Sequence, residues 1–372
     1  MDQGASAPQQ DTRTEKSATW ERLKLLSKEE RAAWRLEPSV ERRDPDARNL
    51  PDEFPFGWFG IMWSDELAVG EVKSVRYFAK DMVLWRGEDG KARLLDAYCP
   101  HYGAHLGSGE VHGNYVQCPF HAWRIDGNGA VKEIPYARNI PPQAKRDNCV
   151  PSYTIEEANG YIYMWYHPEG VAPMWEMRTI EEFGHPDWTG FTKAKWHIYG
   201  AMDNVADNGV DIAHFRYVHR TQNVPEYEFS YDGIKRSTIA RAKLGTPMGT
   251  VDGVIMSSSV GMGQGFTRFQ GISDTIMIPA IVPIERDKIQ YLYGFIQPKE
   301  EAEGPKGGLA RAIIKDICWQ FDEDKVILDG YRRLARPLVC DGDGPFGRNW
   351  QYTDQFYLSR RKAPTPDKLA AE

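Results

Sequence analysis

The sequence predicts an α+β protein in two parts: a small all-β module, then a domain in which helices accompany an antiparallel sheet. Three observations carry this. Between Phe54 and Tyr166 short apolar runs alternate with Gly and Asp at hairpin-like spacing. Beyond Gly170 the strand candidates lengthen and two stretches of helical period appear. At 372 residues the chain also exceeds the roughly 250 residues at which a single core stops growing. The expected division is an N-terminal extension over 1–50, the β module over 51–168 and the mixed domain over 169–372.

Residues 1–17 are small and polar, a composition that favours disorder. A helix is expected from Thr19 to about Leu36, with Trp20, Leu23, Leu26 and Trp34 amid charges, then a charged linker from Glu37 to Pro51. In the β module, Val72–Phe78, Met82–Arg86 and Ala92–Asp96 read as strands, with Gly87–Gly90 as a turn. Tyr115–Cys118 and Ile125–Val131 continue that rhythm, and Tyr161–Tyr166 closes it. The second part has a helical stretch around Asn204–Tyr217. Its strands are expected at Gly253–Ser259, Thr267–Gln270, Thr275–Ile278 and Lys288–Ile296, before a long amphipathic helix from about Gly308 to Leu334.

Hydrophobic content of 41% and charged content of 27% are ordinary for a globular chain. A net charge of −7 argues against a nucleic-acid or anionic-membrane partner. No apolar run reaches the eighteen or so residues of a membrane span, and the first residues have neither a basic nor an apolar signal region. A cytoplasmic location is expected. Five cysteines, an odd count, suit a reducing compartment. Cys149, Cys318 and Cys340 lack ligand spacing and read as small hydrophobes.

Cys99-Pro-His101 and Cys118-Pro-Phe-His121 are the most informative residues. A structural zinc site usually draws two Cys from one turn and two His from another, whereas here each pair mixes a thiolate with an imidazole. That suits two metals held between two facing loops. In a [2Fe–2S] centre Cys99 and Cys118 would hold one iron, and His101 and His121 the other, with a raised reduction potential. Gly103, Gly107, Gly109 and Gly113 allow tight loops around it. His105 and His112 lie in the same window without ligand spacing.

These residues resemble the Rieske iron–sulfur proteins and, within them, the Rieske non-haem iron oxygenases. Two positions vary from the pattern: Tyr102 stands where an aliphatic residue or Arg is expected, and Ala122 where Gly is common. The resemblance implies a Rieske [2Fe–2S] domain followed by a catalytic domain of helix-grip type.

A cluster alone would make an electron carrier, and the mixed domain needs another purpose. Asp207-Asn-Gly-Val-Asp211-Ile-Ala-His214-Phe-Arg-Tyr-Val-His219 is the best candidate. On a regular helix Asp207, Asp211 and His214 share a stripe. His214 and His219 would diverge by about 140°, so both can bind one metal only if the helix ends or loosens between them, as in a π-like turn. Two His and a carboxylate leave positions open on Fe(II) for O₂. On the long C-terminal helix the stripe Ile313, Ile317, Phe321, Leu328 and Tyr331 contains Asp324 and excludes Asp316, Asp322, Glu323 and Asp329. A core-facing carboxylate must be paired, protonated or metal-bound; a buried salt bridge with Arg is the competing reading.

The segments D-x-x-H-x-x-x-x-H and Glu323-Asp324-Lys-Val-Ile327 look like the family's iron ligand set, which implies His214, His219 and Asp324 as ligands. It further implies that Asp211 bridges His214 to a cluster His of an adjacent subunit, in a head-to-tail homotrimer, with Asp207 orienting the site from outside the ligands. Electrons would come from a separate ferredoxin or flavin reductase, since no flavin or nicotinamide motif is present.

The expected activity is O₂-dependent hydroxylation of a small hydrophobic substrate. The alternatives are ring dioxygenation or N- or O-demethylation. Outside the oxygenases, the rivals are an electron carrier with a non-catalytic binding domain and a zinc-stabilised binding protein. Pro337–Pro345 with Trp350 and Gln355–Tyr357 resembles the branch containing 3-ketosteroid 9α-hydroxylase and cholesterol 7-desaturase, which favours an alicyclic or steroid-like substrate.

Overall fold

The structure is a computed structural model, and it describes residues 18–41, 48–219, 221, 226–246, 249–271, 273–305, 307–334 and 337–361. The expected disordered stretch 1–17 and part of the expected linker lie outside these residues.

The N-terminal helix is two helices, α1 (Ala18–Leu25) and α2 (Lys28–Trp34). Ser27 separates them because its hydroxyl accepts from the Glu30 amide while the Glu30 carboxylate accepts from the Ser27 amide, a reciprocal cap that starts a new helix. Eleven short strands follow: β1 (Gly57–Trp63), β2 (Val72–Tyr77), β3 (Lys80–Arg86), β4 (Ala92–Asp96), β5 (Glu110–His112), β6 (Tyr115–Gln117), β7 (Arg124–Ile125), β8 (Val131–Glu133), β9 (Ser152–Tyr153), β10 (Ile155–Ala158) and β11 (Tyr161–Tyr166). They form three antiparallel sheets, ordered β1-β11-β10, β2-β3-β4-β9 and β5-β6-β7-β8.

The strand expected through Phe78 ends one residue earlier. Phe78 and Ala79 form a two-residue hairpin turn, both at positive φ (53° and 57°). Neither is a residue that favours this conformation, so packing must hold it. Phe78 is buried, its ring stacks on Tyr166 at 3.8 Å, and its amide donates to Pro283.

The rest of the chain builds a seven-stranded antiparallel sheet: β12 (Thr192–Ile198), β13 (Glu226–Asp232), β14 (Lys235–Thr246), β15 (Gly249–Val260), β16 (Gln264–Gln270), β17 (Thr275–Glu285) and β18 (Lys288–Ile296). β13 to β18 run as consecutive hairpins, and β12 closes on β18. Between β12 and β13 lie α3 (Met202–Asn208) and α4 (His214–Tyr217). After β18 come α5 (Lys299–Glu303), α6 (Gly307–Leu328) and α7 (Phe346–Asp354). The long helix α6 stops six residues short of the expectation, and Gly330 follows its end. It lies against the sheet through Phe321, whose ring sits 4.9 Å from Tyr291 and 5.0 Å from Tyr293.

Two cores result. One joins β1, β11 and the large sheet without interruption, from Phe56 and Trp165 to Trp196, Phe295 and Phe356. Gly60 makes that joint possible: a Cβ there would lie 2.3 Å from the Ala280 Cβ. The second core gathers Trp85, Leu95, Leu106, Cys99, Cys118 and Trp123. β3 and β4 serve both by strand alternation, with Met82, Leu84 and Leu94 on the first and Val83, Trp85 and Leu95 on the second.

Candidate functional site

The two Cys-His loops are built alike. The Cys99 carbonyl accepts from the Gly103 amide at 2.9 Å, and the Cys118 carbonyl from the Ala122 amide at 3.1 Å. Each closing residue takes positive φ, Gly103 at 73° and Ala122 at 55°. This is the physical reason Gly is common at the second position, and Ala122 adopts the conformation regardless. Cys99 and Cys118 are both buried. Burial, augmented by the neighbouring Cys118, pushes the Cys99 thiol up to about 12.

The imidazoles of His101 and His121 face each other with centroids 4.8 Å apart, and His101 stacks on Trp123 at 4.5 Å. The Trp123 indole is held in turn by the Tyr136 hydroxyl at 2.9 Å. His101 Nδ1 is buried with no hydrogen-bond partner. Around this tip Tyr102, Phe120 and Tyr136 are largely exposed. His105, expected to lie outside the ligand set, uses Nδ1 to accept from the Gly107 amide.

The second constellation corrects the regular-helix expectation. Helix α3 ends at Asn208 and α4 begins only at His214, so Asp207, Asp211 and His214 share no stripe. Asp207 turns instead toward α7, accepting from Asn349 Nδ2 at 2.8 Å and Trp350 Nε1 at 3.1 Å. Burial raises its carboxyl to about 6. Asp211 caps α4, its Oδ1 accepting from the Ala213 and His214 amides. Burial opposes ionisation of Asp211, but these bonds and the adjacent His214 outweigh it and hold the carboxyl below its usual range.

Between the two histidines the helix loosens as expected. The His214 carbonyl accepts from the Val218 amide at 2.7 Å and also from the His219 amide at 3.4 Å, a five-residue π-type bond. The ring centroids of His214 and His219 come within 5.0 Å. His214, His219 and Asp324 each offer one ligand atom, all within 4.8 Å of one another.

The other ring nitrogens are engaged. His214 Nδ1 lies 2.7 Å from the Asp211 carbonyl, leaving Nε2 for the site. His219 Nδ1 lies 3.3 Å from Glu323 Oε2, and its Nε2 lies 3.1 Å from Asp324 Oδ1. Burial lowers the His219 pKa, but the two carboxylates overcome this and carry it to about 9. Asn208 Nδ2 donates to the other oxygen of Asp324 at 3.2 Å.

The amphipathic stripe does not set Asp324 apart as expected. Asp322, Glu323, Lys325 and Asp329 are as buried as Asp324, because β12 and the N-terminal segment cover the other faces of α6. Arg35 grips Asp322 through two nitrogens, at 2.7 and 2.9 Å, and Trp196 Nε1 adds a third bond at 2.7 Å. Lys325 pairs with Asp329 at 2.7 Å, and Asp329 also accepts from the Ser39 and Tyr199 amides. Asp324 differs in partner rather than in burial: it meets histidine and asparagine, and no Arg or Lys. Glu323 and Asn208 are the contacts that sequence reasoning missed. Glu323 was readable only as the neighbour of Asp324, and Asn208 carried no signal.

A cavity of about 270 Å³ opens beside His214, His219 and Asp324, floored by the large sheet. Its floor residues alternate along most strands, for example Thr238 and Ala240 on β14, and Ile255, Ser257 and Ser259 on β15. A second cavity, about 580 Å³, is bordered by Asp207, Asp211, Leu334, Leu338 and Trp350. Asn208 borders both.

Residues 57–154 match the Rieske [2Fe–2S] domain, and residues 164–357 match the 3-ketosteroid 9α-hydroxylase C-terminal domain. A 3-ketosteroid-9-alpha-monooxygenase oxygenase component of Rhodococcus rhodochrous is 29% identical over 333 residues, covering 85% of this chain and 86% of that one. A cholesterol 7-desaturase of Xenopus laevis is 26% identical, covering 83% of this chain and 73% of that one. Among solved structures, dicamba monooxygenase bound to dicamba superposes with a TM-score of 0.68 at 18% identity, over 81% of this chain and 97% of that one, a likeness of fold. No helix among the described residues is long and apolar enough to cross a membrane. The chain belongs to the Rieske non-haem iron oxygenases, in the branch that carries the 3-ketosteroid 9α-hydroxylase C-terminal domain.

Proposed function

We propose that this chain is the terminal oxygenase component of a multi-protein system, hydroxylating a hydrophobic, steroid-like molecule with O₂ and electrons from a separate ferredoxin or flavin reductase. The observation that carries the reading is the convergence of His214, His219 and Asp324 at the wall of a largely apolar cavity. The donor set fits ferrous iron, two imidazoles and one carboxylate with coordination positions left over. In the other lobe, the buried thiol pair and the partnerless Nδ1 of His101 suit a [2Fe–2S] cluster bound by Cys99, His101, Cys118 and His121. Bound there, the two centres would supply single electrons and a place for O₂ to be reduced.

The chain's own residues do the positioning. The Asp211 carbonyl and the Glu323 carboxylate fix the two imidazoles so that each presents Nε2. Asn208 holds the free oxygen of Asp324. Asp207 ties α3 to α7 and so orients the segment that leads to His214. Asp211 is about one quarter exposed and borders the second cavity, where it would bridge His214 to a cluster His of a neighbouring copy. The exposed rings at the cluster tip and the exposed Leu334, Leu338 and Val339 supply apolar surfaces for such a contact, in a head-to-tail homotrimer. The steroid-like substrate class is supported by the names of the relatives and by the largely apolar lining of the first cavity.

Anaerobic reconstitution with iron tests the reading. Wild type should hold the two cluster irons and one more per chain, by metal analysis and by EPR of the reduced protein. His214→Ala should keep the cluster signal and lose the third iron together with turnover. A His214→Ala enzyme that still turns over with its cluster full would remove His214 from the chemistry, and a wild type with a full cluster, no third iron and no turnover would establish an electron carrier with a non-catalytic second domain.

A further inference from the structure

Across the apolar floor of the first cavity runs one row of hydroxyls. Register sets Thr238 of β14 opposite Ser257 of β15, and Ser257 opposite Thr267 of β16. All three line the cavity that holds His214, His219 and Asp324. Ser257 Oγ and Thr267 Oγ1 bond to each other at 2.9 Å, where either can donate. The hydroxyl that accepts keeps its own hydrogen for a third partner, and the one that donates keeps lone pairs. Thr238 makes no side-chain hydrogen bond to another described residue. The row can therefore give a hydrogen bond to a carbonyl or exchange one with an alcohol.

The rows on either side define what accompanies that oxygen. One is Ala240, Ile255 and Phe269, wholly apolar. The other is Arg236, Ser259 and Gly265. Arg236 is the one Lys or Arg among the described lining residues, and its guanidinium is already engaged by Asn349 Oδ1 at 2.7 Å and the Ala206 carbonyl at 3.1 Å. A carboxylate or phosphate would meet no uncommitted Lys or Arg among the described lining residues. A neutral oxygen on a rigid hydrocarbon matches the wall, because each apolar ring atom finds an apolar neighbour and the oxygen finds a hydroxyl.

We propose that Thr238, Ser257 and Thr267 are the specificity-determining anchor for a neutral ketone or alcohol oxygen on an otherwise apolar, fused-ring substrate. The proposal rests on the oxygenase reading of this cavity and adds to it the residues that would receive the substrate's oxygen.

The test measures dissociation constants by equilibrium dialysis on the purified protein, with two matched probe pairs: 5α-androstan-3-one against 5α-androstane, and 1-decalone against decalin. Wild type should prefer the ketone of a pair by roughly tenfold, one hydrogen bond to a buried partner. The triple variant Thr238→Val/Ser257→Ala/Thr267→Val should reduce that preference to about one while leaving hydrocarbon affinity unchanged, which also shows that the pocket still folds. Ser257→Thr/Thr267→Ser, which keeps both hydroxyls, should retain the preference. If the steroids bind and their ketone preference survives the triple variant, the anchor is wrong and the substrate class stands. If the steroids fail to bind but the decalone preference depends on the row, the anchor stands and the steroid class falls. If neither pair shows a row-dependent preference, the anchor is overturned.

Discussion

The cluster loops and the histidine–carboxylate site solve the same problem, holding the proposed metal ligands at close quarters, by opposite means. The loops are local. Each Cys heads a turn that closes four residues on, and the two turns lean on one small core of their own. The second site is assembled from distant segments: His219 and its partner Glu323 are 104 residues apart. It depends on α6 being held in place by the sheet on one side and the N-terminal segment on the other. A local site is sensitive to changes in its turns, a remote one to anything that moves a whole helix.

The comparison can be broken, or sharpened, by substitutions that touch no metal ligand. The largest effect is expected from Arg35→Leu. It leaves the fully buried Asp322 with the Trp196 indole as its remaining side-chain partner among the described residues, a loss of about 3–5 kcal/mol for an uncompensated buried charge. Chemical denaturation should register it, and metal analysis should find the mononuclear iron depleted before the cluster. Equal depletion of both centres would mean that the lobes are not separable in this way.

Trp123→Leu is the converse. It removes the ring on which His101 stacks and the Tyr136 bond, at a cost of about 2–4 kcal/mol for a mostly buried indole cut to a smaller apolar group. The visible spectrum of the cluster should bleach faster in air while the third iron is retained. Smallest is Glu323→Gln, which keeps the size of the side chain and removes the charge facing His219 Nδ1. Iron affinity, read by competition with a chelator, should fall about 10- to 100-fold with the cluster spectrum unchanged. Unaltered affinity would reduce Glu323 to a packing residue.

Legibility in the sequence follows the same division. Cys99, His101, Cys118 and His121 are recognisable because spacing within a loop is itself the geometry. The strand Lys288–Ile296 and the strand Ala92–Asp96 are readable to the residue, since continuous or alternating apolar runs leave little choice of register. What fails is the inference from one helix face. The stripe on α6 assumes that only one side of a helix is buried, and three further charged residues on it, with Asp329 just beyond, are buried because their partners come from β12, the loop after it, residues 35–39 and, for Glu323, His219. The break between Asn208 and His214 was hidden because Gly209 and the capping role of Asp211 compete with a plausible helical period. The turn at Phe78 and Ala79 was unreadable in principle: both residues favour strand or helix, and tertiary packing overrides them.

The double duty of β3 and β4 has a practical meaning for anyone who would dissect this chain. Excised at the expected boundary near residue 168, the cluster-bearing part would keep its smaller core covered but lose the large sheet that completes the first core around β1, where Gly60 lies against Ala280, leaving an apolar face uncovered. Such a fragment would be prone to associate through that face. Chimeras between relatives should therefore keep β1, β11 and the large sheet from one parent, and exchange only the segment from about Tyr98 to Val150 that encloses the smaller core.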